Sequence, residues 1–574
     1  MKEELKQRQK LVKMARGKKK ADLVLKNCSI VNVFTGMIDK GDIAISDGII
    51  LGIGDYLGER EVDYSGHHLV PGLIDGHVHI ESSLMTPPGF AKAVIPKGTT
   101  TVIADPHEIA NVCGLDGISY MLNASKNCPL DVYVMLPSCV PSTDFENAGA
   151  ILDAKDLKTL MDEAKVLGLG EMMNYPGVFL GNEGVHDKLL AFKNRTIDGH
   201  APGVSGNDLN SYILSGVETD HECVDYKELE EKVSKGMYIH LREGSATRNV
   251  AELCRGITAN NSRRLMFCTD DKHPTDIVNE GHINYNIKLA IDNGISPITA
   301  IQMATINSAQ CYGLKHTGAI APGYKADLVV LDDLGMFSVR DVYKDGVLVS
   351  ENGLATFEQI KYEDESVLNT IHLKENQQID LEMPLNSEYV KVIGLKEDSI
   401  ITKKVIRKVD VIKGNFSNNP KVDILKLAVI ERHKQTGNIG LGLVEGFGLK
   451  GGAIGLTIAH DSHNMIAIGD NDRDMKKCVE ELRNLTGGIC IVKDGQVALS
   501  LQLEVGGIMT DAPLDEVTTK LSELEVIARD MGVPKGVDPF MTLAFLALPV
   551  IPELKVTDIG LFDANEFKFV EVEE

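Results

Sequence analysis

Histidines and carboxylates in the first half of the chain lie at the ends of apolar, strand-like segments, and these side chains are typical ligands of divalent metal ions. Eleven of the sixteen histidines lie between His67 and His282. The clearest pair is His77-Val78-His79, which ends the segment VPGLIDGHVH. Side chains at positions i and i+2 of a strand point the same way, so both imidazoles can reach one ion. A chance H-x-H in a loop explains this pair equally well in isolation, so its meaning depends on the other strand ends.

Four more ligand-type residues follow the same pattern in later apolar segments. They are a carboxylate inside GLGEMM, histidines that end two successive segments, and an aspartate at the end of the last, namely Glu171, His200, His221 and Asp270. A carboxylate in an apolar strand is costly unless a cation or ion pair compensates it, and a carboxylate can bridge the ions of a two-metal centre. For either histidine alone, a hydrogen-bonded core histidine is the more common explanation. Their positions at successive strand ends favour metal binding.

Asp270 and Asp271 end the eighth segment. We predict that Asp270 binds metal and accepts the proton of the attacking water, because a metal lowers the pKa of that water towards neutrality. Asp271 is equally consistent with a cap of the helix predicted over residues 275–291. Glu171 and Asp270 are therefore the predicted catalytic carboxylates.

Further polar residues follow the second and seventh segments. Asp105, His107 and Glu108 lie at the same predicted rim and are candidates for substrate binding or proton relay. A structural Asp-Pro turn explains these three equally well. Glu243, in HLREGSA, is a candidate substrate contact or one member of an ion pair.

These positions require a fold that gathers successive strand ends. Between residues 66 and 318, eight apolar segments alternate with amphipathic stretches such as 153–166 and 226–235. Eight strands alternating with helices over about 250 residues is typical of a (β/α)8 TIM barrel, whose catalytic groups lie at the C-terminal ends of the strands. A doubly wound open sheet is the competing α/β fold, but it does not explain ligand-type residues at nearly every strand end.

Two similar segments flank the predicted barrel. Residues 21–65 and 319–360 each contain short strands around an Asp-Gly turn, at Asp47-Gly48 and Asp345-Gly346. We predict that they pair in space as one small β-sandwich domain, into which residues 66–318 are inserted as the barrel. Residues 1–20 ahead of them predict a basic, solvated helix.

Residues 375–574 predict a separate α+β domain, which contains two motifs that resemble functional sites. The spacing of Gly446, Gly448 and Gly451 matches G-x-G-x-x-G, but no acidic residue follows in a βαβ unit, so a dinucleotide site is not expected. Residues 460–463 (HDSH) contain metal-ligand side chains. A third metal site, a lid over the barrel and a polar turn are all consistent with them. Strands of this domain are predicted over 422–430, 487–492 and 496–504.

Composition excludes several classes of function. The chain of 574 residues has 59 Lys+Arg, 83 Asp+Glu and a formal net charge of −24, so a basic face for nucleic-acid phosphates is not expected. No apolar run approaches the roughly 18 residues of a membrane span, and the start of the chain lacks a signal-peptide segment. Ten scattered cysteines without a C-x-x-C pair predict reduced thiols in a cytoplasmic protein.

The order of these motifs resembles the amidohydrolase superfamily. The shared features are the N-terminal β block, H-x-H at the end of the first barrel strand and Asp at the end of the eighth. More narrowly, VPGLIDGHVHIESS, TTVIADPHEIANVCG, GLGEMMNYPGV, IDGHAPG, CTDDKHP and AHDSHN are similar to the bacterial adenine deaminase family. The similarity runs along almost the whole chain, including the C-terminal domain.

This resemblance implies hydrolysis of adenine, a small purine base, to hypoxanthine and ammonia in purine salvage. It implies attack of a metal-bound hydroxide on C6, with Asp270 taking up the proton. Many two-metal members bridge their ions with a carboxylated lysine, whereas this chain has Glu171, which fits the adenine deaminases and disfavours hydantoinase-like or dihydroorotase-like activity. The resemblance further implies two divalent ions, manganese or iron, held by His77, His79, Glu171, His200, His221 and Asp270.

Two other functions remain alternatives. A two-metal cyclic amidase of the same superfamily would open a C–N bond in a ring. A non-catalytic relative would keep the barrel as an interaction scaffold, but such a protein is expected to lose ligands at its strand ends, and this sequence retains a full set. We expect a homo-oligomer that binds neither nucleic acid nor a membrane.

Overall fold

The computed structural model describes residues 2–375, 378–397, 399–419 and 421–574. It contains eight parallel barrel strands, a nine-stranded sheet from the segments that flank the barrel, and a C-terminal domain with an eight-stranded sheet. Each part has a buried apolar core. The predicted fold class, a mixed α/β protein with a TIM barrel, is confirmed.

The nine-stranded sheet joins the two segments that flank the barrel in sequence. Strand His68–Pro71 pairs antiparallel with Leu328–Asp333. Asp47 and Asp345, in the two Asp-Gly turns, have φ of 51° and 48°, the left-handed values that a two-residue type I′ hairpin requires. Because the first barrel strand begins at Leu73, directly after this paired strand, the pairing fixes the point at which the chain enters the barrel. In chain order the nine strands are Ala21–Asn32, Met37–Ser46, Ile49–Gly54, Gly58–Asp63, His68–Pro71, Leu328–Asp333, Ser338–Lys344, Val347–Glu351 and Leu354–Ala355.

Helix Lys2–Ala15 precedes this sheet, and most of its side chains are exposed. Met14 is buried in a small apolar cluster with Val24 and Leu51 of the sheet. The Tyr56 hydroxyl donates to the last carbonyl of the helix, that of Ala15, at 2.7 Å. The last helical turn therefore attaches an otherwise solvated helix to the sheet.

The barrel consists of two parallel sheets that close on each other. The first five strands form one sheet and the last three form the other. The Glu218 amide donates to the Ile197 carbonyl at 3.0 Å between the fifth and sixth strands, and Asp270 pairs with Val78 between the eighth and the first. All eight predicted segments are strands, with the bounds Leu73–Val78, Thr99–Ala104, Asp131–Leu136, Val166–Met172, Thr196–Gly199, Thr219–Asp220, Tyr238–Arg242 and Leu265–Cys268.

The amphipathic stretch over residues 153–166 is helical for only one turn, Ala154–Leu157. The Thr159 hydroxyl donates to the Asp156 carbonyl at 2.6 Å. Such local side-chain bonds compete with the backbone bonds that would extend a helix. The expectation of a longer helix at this position is therefore wrong.

The helix predicted over 275–291 is divided in two at Gly281, whose φ of 127° lies outside the helical range. The break leaves a short helix close to the eighth strand end and a longer one that covers the barrel. The helices of the barrel region are Pro87–Val94, His107–Ala124, Ala154–Leu157, Tyr175–Phe179, Glu183–Ala191, Gly206–Leu214, Tyr226–Ser234, Val250–Leu253, Pro274–Asn279, Ile283–Asp292, Pro297–Met303 and Ile306–Cys311.

The C-terminal domain packs one mixed sheet against helices Asp472–Asn484 and Leu514–Asp530, and it also contains the short helix Met541–Phe545. The three strands predicted here are present within two residues of their predicted ends. The sheet consists of Tyr389–Gly394, Lys403–Lys408, Ile424–Ile430, Ile439–Glu445, Gly452–Leu456, Met465–Gly469, Gly488–Lys493 and Gln496–Gln502, and smaller sheets contain Asp410–Ile412, Asn415–Ser417, Leu554–Val556, Leu561–Asp563 and Lys568–Phe569.

The G-x-G-x-x-G segment of this domain is a loop whose amides are already bonded. Asp423 accepts the Gly446 and Gly448 amides at 3.0 and 2.9 Å. Asp470 accepts the Gly451 amide at 2.6 Å. Because carboxylates of the same domain take these amides, the loop does not offer them to a phosphate.

All ten cysteines are free thiols, and eight of them are buried. Among the described residues, no helix combines the length and the apolar character needed to cross a bilayer.

A buried lysine links the ends of the fifth and sixth barrel strands. Lys232 Nζ donates to the Ala201 carbonyl, to Asp220 Oδ2 and to Glu228 Oε1 at 2.6–2.7 Å. The side chains of Lys232 and Asp220 are fully buried. Since Ala201 follows His200 and Asp220 precedes His221 in sequence, this network fixes the segments that carry two of the candidate ligands.

We expect Lys232→Met to lower the free energy of unfolding by about 3–5 kcal/mol, because it leaves the Asp220 carboxylate buried without its cation. Lys235→Met is the matched control, since Lys235 pairs with Glu231 on a partly exposed face of the same helix. That change should cost less than about 1 kcal/mol. Urea unfolding followed by circular dichroism, with a metal chelator present, measures both. Equal losses for the two variants would contradict the role of the buried network.

Candidate active site

His77 and His79 come from the first barrel strand, Leu73–Val78, and both are buried. Their Nε2 atoms lie 3.2 Å apart. The Nδ1 atom of His79 donates to the Asp105 carbonyl at 2.9 Å, so that Nε2 is the ring atom directed at the centre. Asp75 accepts the His77 amide at 3.2 Å within the same strand. Both imidazoles therefore reach one point at the C-terminal end of the strand.

Glu171 lies on the fourth strand, and its two carboxylate oxygens face different histidines. Oε1 is 3.2 Å from Nε2 of His79. Oε2 is 2.7 Å from Nδ1 of His200 and 3.2 Å from Nε2 of His221. His200 and His221 directly follow the fifth and sixth strands. One carboxylate therefore connects ligand-type groups from four strands.

Asp270 follows the eighth strand and completes the cluster on the side of His77 and His79. Its Oδ1 is 3.0 Å from Nε2 of His79 and 3.7 Å from Nε2 of His77. Its φ of 58° is left-handed, which is uncommon for a residue other than glycine. The backbone is held there because the Asp270 amide donates to the His77 carbonyl at 3.0 Å. This strained position is typical of a functional residue.

Arg242 and Glu222 belong to the same cluster, although the sequence argument did not single them out. Arg242 ends the seventh strand, and its NH1 group donates to Glu222 and to Asp270. Its NH2 group donates to Glu222 Oε2 at 3.0 Å. Glu222 Oε1 is also 3.6 Å from both His200 and His221. The position of Arg242 at a strand end was the available signal, but an arginine is not a metal ligand.

Burial disfavours the charged form of the side chains at this centre. The neighbouring groups together favour the charged form more strongly, as the pKa values show. Burial raises the pKa of Glu171, but hydrogen bonds from histidines, His200 first, hold that pKa well below its usual range. Burial also raises the pKa of Asp270, and the charge of Arg242 holds it well below the ordinary value. Burial lowers the pKa of His200, whereas the charges of Glu222 and Glu171 raise it to about 9. The carboxylates are therefore ionised and need positive charge close by.

The donor set fits divalent cations. Two ligand atoms about 2.0–2.2 Å from one ion lie roughly 2.8–3.6 Å apart at tetrahedral or octahedral angles. The separations between His79 and its neighbours, 3.2 Å to His77 and 3.0 Å to Asp270, fall in this range. Imidazole combined with carboxylate suits zinc, manganese and iron. The sets with ligand atoms close enough to share an ion include His77, His79 and Glu171; His77, His221 and Asp270; and Glu171, His200 and His221.

The other predicted residues lie around this cluster at different distances. His107 Nδ1 is 3.4 Å from Glu171 Oε1, at the edge of the centre. Asp105 contacts the backbone of Glu171, because its Oδ2 accepts the Glu171 amide at 2.9 Å. Glu108 accepts the Ser82 hydroxyl at 2.8 Å, and its ligand atom lies within 4.8 Å of those of His79 and His107. Glu243 is separate, because its carboxylate lies 3.9 Å from Arg248 and accepts a backbone amide near it.

The turn at residues 460–463 of the C-terminal domain lies over the mouth of the barrel. Asp461 Oδ1 is 3.9 Å from Nε2 of His107. The neighbouring Asn464 side chain donates to the carbonyl of Asn147, in the loop after the third strand, at 2.8 Å. His460, Asp461, Ser462 and His463 are all buried. Of the interpretations left open for this turn, the lid over the barrel matches its position.

Two protein families match parts of this chain. Residues 68–349 match the amidohydrolase family, and residues 399–568 match the adenine deaminase C-terminal domain. Among solved structures, β-aspartyl dipeptidase from Fervidobacterium islandicum AW-1 aligns with a TM-score of 0.46 at 18% identity, over 59% of this chain and 99% of that chain.

Three curated relatives are similar along their whole length. The adenine deaminase of Clostridium acetobutylicum is 52% identical over 97% of this chain and 99% of its own. Adenine deaminase 2 of Carboxydothermus hydrogenoformans is 50% identical over 98% of this chain and 99% of its own. The adenine deaminase of Nitratidesulfovibrio vulgaris strain DP4 is 48% identical over 98% of both chains. Since this identity extends through the barrel and the C-terminal domain alike, the chain belongs to the adenine deaminase family of the amidohydrolases.

Proposed function

We propose that this chain hydrolyses adenine to hypoxanthine and ammonia at the cluster around Glu171. The full-length similarity to adenine deaminases supports the substrate. The single observation that carries the chemistry is the position of Glu171, whose two oxygens face separate histidine groups at the C-terminal mouth of the barrel. This arrangement is what a carboxylate shared by two ions requires.

We assign the ligands to two groups that share Glu171. His77, His79 and Asp270 would hold one ion, and His200 and His221 would hold the other. Divalent cations bound there supply the Lewis acidity that makes water nucleophilic at neutral pH. Manganese or iron is our proposed pair, since both accept mixed imidazole and carboxylate ligands.

The protein groups control the protons of the reaction. Water adds its oxygen to C6 of adenine as the C6–N1 double bond opens. Asp270 accepts one proton of this water, and the other ends on N1 of the product when the C6 carbonyl forms. Arg242 occupies the other oxygen of Asp270, so that Oδ1 remains directed at the centre. When the C6–N bond breaks, the exocyclic nitrogen must leave as ammonia, and the proton held by Asp270 is available to it. This shuttle is general acid–base catalysis by one carboxylate.

His107 is the proposed contact to the purine ring. It lies between Glu171 and Asp461 at the mouth. Burial, together with the charge of His79, lowers its pKa to about 3. A neutral imidazole has one N–H donor and one acceptor, which suits the alternating acceptors and donors of a purine edge. Asp105 is a positioning residue, because it accepts the backbone amide of Glu171.

We place this reaction in purine salvage in the cytoplasm. The free and mostly buried thiols support a reducing compartment. The cyclic amidase alternative is not favoured, because the similarity to adenine deaminases includes the C-terminal domain that covers the mouth.

The proposed substrate is tested with protein reconstituted separately with manganese, iron or zinc. We expect ammonia and hypoxanthine from adenine. Adenosine should react far more slowly, because the turn at residues 460–463 lies over the mouth of the barrel and limits the space for a group larger than the base. Ammonia release and ultraviolet absorbance measure both reactions. Faster ring opening of a dihydropyrimidine or hydantoin would support the cyclic amidase, and metal-loaded protein that turns over none of these substrates would support a scaffold.

Asp270→Asn should lower kcat for adenine by about 10²–10⁴-fold, because the amide cannot accept the proton of the attacking water. Its metal content should change much less, since one oxygen ligand remains. Asp292→Asn is the control, because Asp292 pairs with Lys288 on an exposed helix. Steady-state kinetics and metal analysis are measured on the same preparations. A wild-type kcat in Asp270→Asn would rule out its role as the base.

Glu171→Gln should reduce metal content from about two ions per chain to fewer than about one, since the variant has one oxygen where two ions require two. Glu252→Gln, on an exposed salt bridge with Arg255, should bind metal like the wild type. Both proteins are reconstituted, freed of excess metal by gel filtration and analysed by mass spectrometry. Full metal content in Glu171→Gln would exclude the shared carboxylate.

A further inference from the structure

We propose that a separate divalent-cation site lies between the barrel mouth and the C-terminal domain, formed by Glu108, His460 and His463. Glu108 belongs to helix His107–Ala124 of the barrel, whereas His460 and His463 belong to the turn that covers it. The ligand atoms of the three residues all lie within 4.8 Å of one another. His460 and His463 come from outside the cluster around Glu171, whereas Glu108 borders it, because its ligand atom also lies within 4.8 Å of those of His79 and His107.

The first argument is the environment of His463. Its side chain is completely buried, and neither ring nitrogen has a hydrogen-bond partner among the described residues. Its Nε2 atom faces Glu108 Oε2 at 4.0 Å, which is too long for a hydrogen bond. A buried polar group without a partner costs about 1–3 kcal/mol. A cation between the imidazole and the carboxylate would satisfy both groups.

The second argument is a group of buried carboxyl groups that no basic side chain pairs with. Glu81 and Glu108 are both about 1% exposed, and one oxygen of Glu81 has no partner in the described structure. The Ser82 hydroxyl lies 2.8 Å from Glu108 and 2.6 Å from Asp271. One hydroxyl has one proton, so it can donate to only one of these carboxylates at a time. Within the described residues, no lysine or arginine lies within ion-pair distance of the three acids.

The third argument is the space available. A small cavity lies beside the proposed site, and its wall includes Glu81, Glu108 and His460, whereas His463 lies outside that wall. The rest of the wall is largely apolar and includes Leu456 and Phe540 of the C-terminal domain. Apolar walls exclude the water that would otherwise solvate the acids, so each carboxyl group must either keep its proton or face a cation.

The ligand types indicate which cation fits. Two imidazoles with a carboxylate suit zinc, manganese or iron, whereas calcium and magnesium prefer an all-oxygen set. A bound ion would join the two domains through one coordination sphere. Because Glu108 directly follows His107, a bound ion would also fix the turn at residues 460–463 above the proposed purine contact.

The decisive measurement uses wild-type crystals grown with manganese chloride and anomalous diffraction at the manganese edge. We expect an anomalous peak within bonding distance of Glu108, His460 and His463, in addition to any peaks around Glu171. Peaks only around Glu171 would overturn the proposal and leave the proposed function intact. Peaks only at the interface would support this site and contradict the two-metal centre.

Variants in solution provide an independent measurement. Glu108→Gln and His463→Gln should each lose about one manganese ion per chain relative to the wild type, since each removes one of only three protein ligands. His186→Gln is the matched control, because His186 lies on helix Glu183–Ala191 of the barrel region and its Nε2 contacts the Val178 carbonyl at 3.1 Å. Metal content is measured on folded protein, as judged by circular dichroism. Unchanged metal content in both ligand variants would overturn the proposal.

Discussion

The buried charge of Glu171 is the constraint on which the site depends. A carboxylate removed from water must be compensated by groups in direct contact, and here each oxygen meets a different set of imidazoles. Those imidazoles follow the first, fifth and sixth strands, so the strand ends must converge on the fourth. A closed barrel provides this convergence, and an open sheet does not. The pairing of Val78 with Asp270 therefore serves the centre as well as barrel closure.

The parts of the structure that follow local rules could be predicted from sequence. Apolar segments of strand length, most of them ended by a polar residue, are sufficient to predict all eight barrel strands. The placement of His77, Glu171 and His221 at one mouth then follows from the barrel itself, because its strands are parallel and their C-terminal ends share one rim. Whether these residues bind metal stays a prediction, since coordination depends on distances that no strand pattern fixes.

The remaining features depend on contacts between distant parts of the chain. Arg242 is recognisable as part of the centre only from its bonds to Glu222 and Asp270, which lie 20 and 28 residues away. The approach of Asp461 to His107 joins two domains, and no periodicity in either segment encodes it. The short helix at Ala154–Leu157 could not be predicted either. An amphipathic pattern does not indicate where side-chain hydrogen bonds compete with those of the helix.

Protons and cations compete for the same groups at both acidic clusters. At the barrel centre, the carboxylates raise the pKa of His200, so imidazoles carry the compensating protons when no ion is bound. Metal binding must displace those protons, which links metal affinity to pH and to folding of the strand ends. At the domain interface, Glu81 and Glu108 have no arginine or lysine near them in the described residues. The C-terminal domain thus meets the barrel at acidic groups whose charge depends on whether they hold a proton or face a cation.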